Sequence, residues 1–235
     1  MLAGGLLGGS ALVFPATLHA LEIRGELPWS PGAADHPRFW EDARFLTAAE
    51  VRTLEAITER LIPADSDGPG AREAGVVRFI DSQLAGWYGR GQRWYMQGPF
   101  PEPLATQGYQ THHTPAQLIR AGLAALDAYV RSANRDADFA AMPEDRQIDI
   151  LQRLENEDIN FASVPGALFF SFLLEMTIEG YFCDPVHGGN RDMVGWRYVG
   201  FPGARYDYRD FTGHDGARIT LHPVGLTGAP EWSAP

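Results

Sequence analysis

Lysine is missing from this sequence, and all 19 of its cationic side chains are arginines. A chain without lysine cannot form a lysine Schiff base with a substrate or build a phosphate-binding loop of the P-loop type. Arginine forms planar, bidentate pairs with carboxylates, which suits a protein with large protein contacts. The alternative explanation is a GC-rich genome that encodes arginine in place of lysine.

Cysteine occurs only once, at Cys183. One thiol excludes an internal disulfide, an all-cysteine metal site and haem attachment through CxxCH. The sequence also has no GxGxxG nucleotide-binding motif, no GxSxG nucleophile motif and no HExxH zinc motif. Common routes to cofactor chemistry and to covalent catalysis are therefore missing.

Cationic charge is scarce as well. Against the 19 arginines stand 30 carboxylates, which gives a formal net charge of −11. Such an excess of negative charge opposes binding to nucleic acid and docking on anionic lipid. We expect no nucleic-acid partner.

The first 20 residues are predicted to be an export leader. The stretch from Leu2 to Leu18 is uncharged, rich in Gly, Ala and Leu, and interrupted by Pro15. A spanning helix needs about 20 steadily apolar residues, whereas this stretch is typical of a twin-arginine signal with a candidate cleavage site after Ala20. No basic segment precedes it, so the leader has a truncated n-region. The alternative is a short helix packed on the domain.

Two helix starts are predicted from local capping patterns. Thr47 and Glu50 form a capping box at the start of an amphipathic segment that extends over 45–63. Thr114 and Gln117 repeat the arrangement at the start of a later helix, where proline occupies the first helical position. The fold class is therefore predicted as mainly α, an irregular helical bundle.

Periodicity predicts further helices in the middle of the chain. One is expected from about Ala71 to Leu84 and another from Pro143 onward, separated by a loop-rich, aromatic stretch at 86–113. In the helix after Pro143 the residues expected to face the core are Ile148, Leu151 and Leu154. Between Pro165 and Cys183 apolar residues surround nearly the whole circumference. Such a helix is either central to the domain or covered by another protein.

The periodicity ends after Cys183. Residues 184–235 are rich in Gly, Pro and aromatics, and a long tail of this composition is predicted to wrap a partner. The proline-rich residues 21–44 are predicted to be an extended arm. The expected organisation is a leader at 1–20, the arm at 21–44, a helical domain at 45–183 and the tail at 184–235.

Several acidic, histidine and cysteine residues invite a chemical role. Glu175 and Glu179 lie one helical turn apart, where paired carboxylates either perform acid–base chemistry or bind an arginine, with Arg191 and Arg197 as candidates. We favour the arginine pairing. Candidate metal ligands are His112, His113, Cys183, Asp184 and His187. The adjacent histidines are expected to point apart, and soft Cys rarely combines with hard Asp, so no metal site is predicted.

Two segments of the chain are specific enough to suggest a family. The first is FLTAAEVRTLEAITERLIPADSDGPGAREAGVVRFID at 45–81, and the second is EGYFCDPVHGGNRDMVGWRYVGFPGA at 179–204. Together they resemble the gluconate 2-dehydrogenase subunit 3 family, and the resemblance covers roughly 45–204. The Gly-Gly-Asn-Arg-Asp motif followed by Gly-Trp and Phe-Pro-Gly is the most specific part.

The resemblance implies a subunit that binds no cofactor and is not an enzyme by itself. Its expected partners are a large catalytic subunit of the glucose–methanol–choline type, which holds FAD, and a multihaem cytochrome c subunit, which holds c-type haem. The small subunit would stabilise and co-export its partner. The complex would oxidise a sugar or sugar acid in the periplasm, associated with the cytoplasmic membrane.

The second segment is the expected partner interface. Its glycines permit positive φ and close backbone approach, its charged residues offer charge-assisted bonds, and its aromatics resemble interface anchors. The candidate residues are Cys183, Asp184, Gly188, Gly189, Asn190, Arg191, Asp192, Trp196, Tyr198 and Phe201. Cys183 is either a buried thiol at a helix end or a disulfide link to a partner. No catalytic, cofactor-binding or metal residue is predicted.

Two other functions stay open. One is a small periplasmic enzyme that uses Glu175, Glu179, His187 or Asp192. The other is a stand-alone periplasmic binding or scaffold module outside any dehydrogenase.

Overall fold

The computed structural model describes residues 22–24, 44–101, 104, 106–133, 135, 137–205, 209, 212–213, 216 and 218–226. The helices in this part of the chain are α1 (Ala48–Leu61), α2 (Val76–Ala85), α3 (Pro115–Ala133), α4 (Glu144–Glu155), α5 (Gly166–Phe182) and α6 (Val194–Val199). Short 3-10 turns lie at Phe139–Ala141, Pro185–His187 and Arg191–Met193. The strands β1 (Glu22–Arg24) and β2 (Arg218–Thr220) pair in parallel. The mainly α fold class is confirmed.

Helix α5 lies at the centre of the bundle. It packs against α1, α2, α3, α4 and α6, and Phe169, Leu173 and Met176 on it are buried. Helix α3 approaches closely because Gly122 has no side chain: a Cβ there would lie 2.1 Å from the Phe169 ring. The apolar residues around nearly the whole circumference of α5 are therefore explained by its central position, although Ile178 remains 45% exposed.

Both predicted capping boxes are confirmed. The backbone N–H of Thr47 donates to the Glu50 carboxylate at 2.7 Å, and the Glu50 N–H donates to the Thr47 hydroxyl at 3.3 Å. The Thr114 N–H donates to the side-chain oxygen of Gln117 at 2.9 Å, and the reciprocal bond is 3.3 Å long. These bonds satisfy backbone donors that the first helical turn leaves without a partner.

The helix after Pro143 confirms two of its three predicted core residues, since Leu151 is 4% exposed and Leu154 is fully buried. Ile148 is 41% exposed, so its inward placement was wrong, whereas Gln147 is only 3% exposed. The Gln147 amide donates to the carbonyls of Phe139 and Met142 at 2.9 and 3.1 Å. The helix turns this glutamine inward because the preceding 3-10 turn leaves backbone carbonyls that need donors.

Helix α2 begins later than predicted, at Val76 instead of Ala71. Residues 71–75 form a turn that ends at Gly75, whose φ of 73° lies in the left-handed region. The apolar spacing continues through this turn, so periodicity alone placed the start too early.

The predicted loop-rich stretch between α2 and α3 packs on the bundle through its aromatic rings. The Trp94 ring lies 5.8 Å from Tyr88, 4.7 Å from Tyr109 and 6.2 Å from Phe172 of α5. Rings at these separations attract one another in tilted or edge-on geometry.

The predicted leader at 1–20 lies outside the described residues, as does most of the arm and part of the tail, including residues 227–235. In the part of the chain that is described, no helix combines the length and apolar character required to cross a bilayer.

Candidate functional site: a capped helix end and an adjoining groove

The chain folds back on α5 immediately after it ends. Two 3-10 turns and α6 follow within residues 185–199, in a region where the periodicity predicted only loop. Each turn has three residues and α6 has six, which is too short for a 3.6-residue pattern to become visible. These turns bring the specific Gly-Gly-Asn motif against the end of α5.

The motif supplies hydrogen-bond donors to the last carbonyls of α5. The backbone N–H of Asn190 donates to Gly180 O at 2.9 Å, and its side-chain amide donates to Cys183 O at 2.9 Å. The Trp196 indole N–H donates to Phe182 O at 2.7 Å. A helix leaves its final carbonyls without intrahelical donors, so this segment acts as the C-terminal cap of α5. We call residues 188–196 the α5 cap.

Asn190 is the centre of the α5 cap. It is fully buried, and its side-chain oxygen accepts the N–H of Gly195 at 2.8 Å. Its φ of 44° lies in the left-handed region, which asparagine tolerates better than most residues. Next to it, a Cβ on Gly189 would lie 2.2 Å from Gly180 O. The asparagine and the glycine are therefore required by the internal fold.

Asp184 connects the end of α5 to the later part of the chain. One carboxylate oxygen accepts the Val186 N–H at 3.0 Å, and the other accepts the Leu226 N–H at 2.8 Å. A further backbone bond joins Ala204 N to Val224 O at 2.6 Å. Residues 224–226 are thus attached to the chain around the α5 cap.

The predicted interface residues divide into buried and exposed groups. Gly188, Gly189, Asn190 and Trp196 are buried within the chain, and Cys183 and Asp184 are half-buried. The exposed members are Arg191, Asp192, Tyr198 and Phe201. The four buried residues are explained by packing inside the chain. A partner could contact chiefly the four exposed residues, and that contact stays a prediction.

Cys183 lies at the C-cap of α5 with its thiol against the α5 cap. The sulfur donates to Gly180 O at 3.5 Å, and burial raises the pKa of the thiol to about 12. A thiol that stays protonated at neutral pH is a poor nucleophile for disulfide exchange. Of the two sequence-based alternatives this environment favours the buried thiol, and the disulfide with a partner stays a prediction.

Glu175 and Glu179 do not have the arginine partner that the sequence suggested. Among the described residues neither carboxylate forms an ion pair. Burial, followed by the nearby Glu175 carboxylate, raises the pKa of Glu179. Burial also raises the pKa of Tyr88, and both glutamates add to that shift. The pair is a site of like-charge repulsion on the exposed side of α5.

The histidine pair is arranged differently from the expectation. The rings of His112 and His113 do not point apart, because their centroids lie 4.0 Å from each other. Burial, followed by the neighbouring His112, lowers the pKa of His113. No group of three or more His, Cys, Asp or Glu side chains in the described part of the chain is positioned to hold a metal ion.

A groove opens beside the capped end of α5. Its volume is about 320 Å³, and the turn at residues 64–70 forms one side of it. The other lining side chains come from the end of α1 and from the region of the α5 cap: Leu61, Ile62, Pro63, Tyr181, Phe182 and Tyr198. The Tyr181 hydroxyl donates to Pro69 O at 2.6 Å and joins the turn to α5.

Exposed apolar side chains continue from the groove along the chain. Phe182 is 37% exposed, Tyr198 55%, Val199 57% and Phe201 44%. We call these four residues the apolar rim. Phe201 is held by the α5 cap, since its ring lies 5.1 Å from Trp196 and its N–H donates to Trp196 O at 2.8 Å. Sequence reasoning identified Tyr198 and Phe201 but missed Phe182, Val199 and the turn at 64–70, although both resemblance segments contain them.

The chain matches a known protein family. The model of the family described as Gluconate 2-dehydrogenase subunit 3 matches residues 48–203, more than half of the chain. The matched range contains α1 through α6, the α5 cap and the groove. Comparison with curated proteins finds no match, and comparison with solved structures also finds none.

Proposed function

The chain belongs to the gluconate 2-dehydrogenase subunit 3 family, and on that premise we propose that it stabilises and escorts the FAD-containing catalytic subunit of a periplasmic sugar or sugar-acid dehydrogenase. In this proposal it has no catalytic residues of its own. The catalytic partner is a flavoprotein of the glucose–methanol–choline type, and a multihaem cytochrome c subunit completes the complex. FAD and c-type haem are held by those partners.

One observation identifies the surface that would contact the catalytic subunit. Two residues of the apolar rim, Phe182 and Tyr198, line the groove and are exposed, and the exposed Val199 and Phe201 follow Tyr198 within three positions of the chain. Contiguous apolar surface on a soluble protein marks an interaction site, and aromatic side chains dominate the energetics of such sites. The rim supports a protein interface at this end of α5.

Hydrogen bonds of the α5 cap hold the backbone next to this surface. Phe182 precedes the α5 cap and Tyr198 and Phe201 follow it, and the backbone of the cap is held by Asn190 and Trp196. Side chains held in place before binding lose less conformational freedom when a partner arrives. A preorganised surface of this kind suits a subunit that must stabilise another chain.

The test is co-expression of the flavoprotein subunit with and without this chain. With the chain present we expect soluble, FAD-loaded flavoprotein in the periplasmic fraction, and without it we expect aggregated or cytoplasmic flavoprotein. Yield is measured by flavin absorbance of the fractions. If the flavoprotein is equally soluble, exported and active alone, the proposal fails.

A matched pair of variants assigns the effect to the apolar rim. Val199→Ser and Ile148→Ser each remove one exposed apolar side chain, but Ile148 lies on α4. We expect Val199→Ser to lower the recovery of the complex and Ile148→Ser to leave it unchanged. Equal recovery with both variants would remove the rim from the interface while leaving the family role intact.

The location in the periplasm is tested separately. If residues 1–20 act as a leader, the mature chain begins near residue 21, and deletion of the leader retains both subunits in the cytoplasm. N-terminal sequencing of the periplasmic complex measures the cleavage site. Recovery of the uncleaved chain in the cytoplasm alone would contradict the escort role.

A stand-alone binding or scaffold module is the second candidate, because the groove would also suit a partner outside a dehydrogenase. Affinity purification of the chain from its native cell extract separates the two candidates. A flavoprotein and a cytochrome among the retained proteins support the dehydrogenase subunit, and retention of other proteins without a flavoprotein supports the scaffold.

A further inference from the structure

The edge of the groove beside α5 is negatively charged. Asp65 is the single charged residue among the described side chains that line it. The turn at 64–70 also contains Asp67 and has no cationic residue. The whole chain has a formal net charge of −11. A partner that enters this groove therefore encounters apolar walls and a negative edge, which favours a cationic group.

The Asp65 carboxylate is held in a fixed direction. Its Oδ1 atom accepts the backbone N–H groups of Asp67 at 2.8 Å and Gly68 at 3.0 Å. Within the described part of the chain, Oδ2 accepts no hydrogen bond. A carboxylate with one oxygen used for the turn and the other unoccupied can accept a charge-assisted bond from a guanidinium or ammonium group.

The Tyr198 ring also lines the groove. It packs on Gly68, where a Cβ would lie 2.9 Å from the ring, and it is still 55% exposed. An aromatic face attracts a cation within about 6 Å of its centre. Asp65 and Tyr198 both line the groove, so the carboxylate and the ring can contact the same cationic side chain.

The remaining space is apolar. Ile62, Pro63 and Phe182 line the groove together with Leu61. A volume of about 320 Å³ falls near the lower end of known ligand pockets, roughly 300–1,000 Å³, and holds a few side chains. Besides the Asp65 carboxylate, the polar side-chain groups among the described lining residues are the hydroxyls of Tyr181 and Tyr198, and the Tyr181 hydroxyl already donates to Pro69 O. A mainly apolar groove of this kind can accept part of a polypeptide.

We infer that the groove binds a segment of the flavoprotein subunit in which an arginine or lysine adjoins an apolar side chain; this inference rests on the proposed function. The apolar side chain occupies the space between Ile62 and Phe182. The cationic side chain lies over Tyr198 and pairs with Asp65.

The first experiment identifies the segment in the intact complex. A photoreactive benzoylphenylalanine replaces Tyr198 in the co-expressed chain, and mass spectrometry locates the cross-link after irradiation. The control carries the same group in place of Tyr95, which is 79% exposed on the stretch between α2 and α3. We expect the Tyr198 position to label a flavoprotein segment with Arg or Lys within about three residues of a large apolar residue, and the Tyr95 position not to label that segment.

The second experiment measures how much the Asp65 carboxylate and the Tyr198 ring each contribute to subunit affinity in the purified complex. Asp65→Asn keeps an oxygen that can accept the two turn N–H groups but removes the charge. We expect it to weaken subunit affinity about twofold to fivefold at low salt and to reduce the salt dependence of binding. Tyr198→Ala removes an interface aromatic and is expected to weaken affinity about 30-fold. The surface control Asp127→Asn on α3 should leave both properties unchanged.

The outcomes separate the two proposals. If the wild-type complex forms but the cross-link reaches a second copy of this chain, or a flavoprotein segment without a cation, the groove inference is wrong and the subunit role survives. Wild-type affinity in the Asp65→Asn and Tyr198→Ala variants, with unchanged circular dichroism spectra, also overturns it. If no flavoprotein co-purifies with the wild-type chain, the proposed function itself fails.

Discussion

The starts of α1 and α3 differ from the end of α5 in where their capping groups come from. At the two starts, Thr47 with Glu50 and Thr114 with Gln117 exchange hydrogen bonds across three residues. At the end of α5 the donors come from residue 190, which follows the first 3-10 turn, and from residue 196, which follows the second. The first arrangement is local and the second depends on a backbone that must already be folded.

This difference has a physical basis. An N-terminal cap needs a side-chain oxygen near N–H groups of its own first turn, which a short side chain reaches directly. The carbonyls at a C-terminus need donors, and here the chain returns to supply them from a backbone N–H, an amide and an indole. Loss of the returning segment should therefore cost more than loss of a local cap.

The largest effect is expected for Asn190→Ala. The variant leaves the carbonyl of Cys183 and the N–H of Gly195 without partners at a buried position. Each unpaired buried group costs about 1–3 kcal/mol, so we expect a loss of roughly 3 kcal/mol, or about 6–12 °C in Tm. Calorimetry of the purified chain measures it. Asn156→Ala at the exposed end of α4 is the control, and similar Tm values for both variants would contradict a special role of the α5 cap.

An intermediate effect is expected for Trp196→Phe. Phenylalanine keeps an aromatic ring beside Phe201 but cannot donate to Phe182 O. We expect a loss of about 1–2 kcal/mol in the free energy of unfolding, measured by urea titration. Trp87→Phe changes a 48% exposed indole and should leave the urea midpoint unchanged. A larger loss from Trp87→Phe would show that indole size, and not the hydrogen bond, decides stability.

A smaller effect is expected for Thr47→Ala, which removes the hydroxyl acceptor of the α1 capping box. An N-cap of this type contributes about 1 kcal/mol, so the loss should be about a third of that for Asn190→Ala. Thr47→Ser retains the hydroxyl and should recover most of the stability in the same urea titration. If Thr47→Ala lowers the free energy of unfolding more than Asn190→Ala does, the contrast between the local cap and the distant cap is wrong.

The smallest effect is expected for Glu179→Gln, next to the α5 cap but outside it. Because the folded pKa of Glu179 is raised, the ionised carboxylate destabilises the fold at pH 7. Glutamine should therefore raise the free energy of unfolding at pH 7 by about 0.5 kcal/mol, the upper end of the usual cost of a like-charge pair one turn apart, because it removes both the burial of the charge and the repulsion by Glu175.

The pH dependence fixes the sign of this effect. Below the unfolded pKa of about 4.3 the carboxyl group is protonated in both states, so the advantage of Glu179→Gln disappears. As the pH rises through the raised folded pKa, the wild-type chain loses the stability that the proton provided. Glu175→Gln relieves the repulsion but not the burial of Glu179, so its gain should be smaller. A gain that persists at pH 4 would exclude ionisation of Glu179 as the cause.

The elements that sequence reasoning identified well are those with local causes. The capping boxes, the apolar α5 and the aromatic stretch between α2 and α3 all follow from residue types within one or two turns. The errors arise where a tertiary contact overrides periodicity. Gln147 turns inward because carbonyls in and just after the preceding 3-10 turn need donors, and its neighbour Ile148 faces solvent although Leu151 and Leu154 are buried as predicted.

The candidate site was predicted only in part for the same reason. Sequence reasoning grouped the residues from 183 to 201 as one interface, because their pattern is specific. The structure divides them, with Asn190 and Trp196 used inside the chain and Tyr198 and Phe201 exposed. It also brings the turn at 64–70 beside Tyr198, a contact between residues more than 120 positions apart that no local signal reveals.

The sequence by itself determined the helical class, the starts of α1 and α3 and the family, because each follows from short-range patterns or from residues in a fixed order. The tertiary structure decided which motif residues remain accessible and where the groove lies. These depend on how the chain after α5 returns to satisfy the last carbonyls of that helix. That return is decided by hydrogen bonds between distant segments.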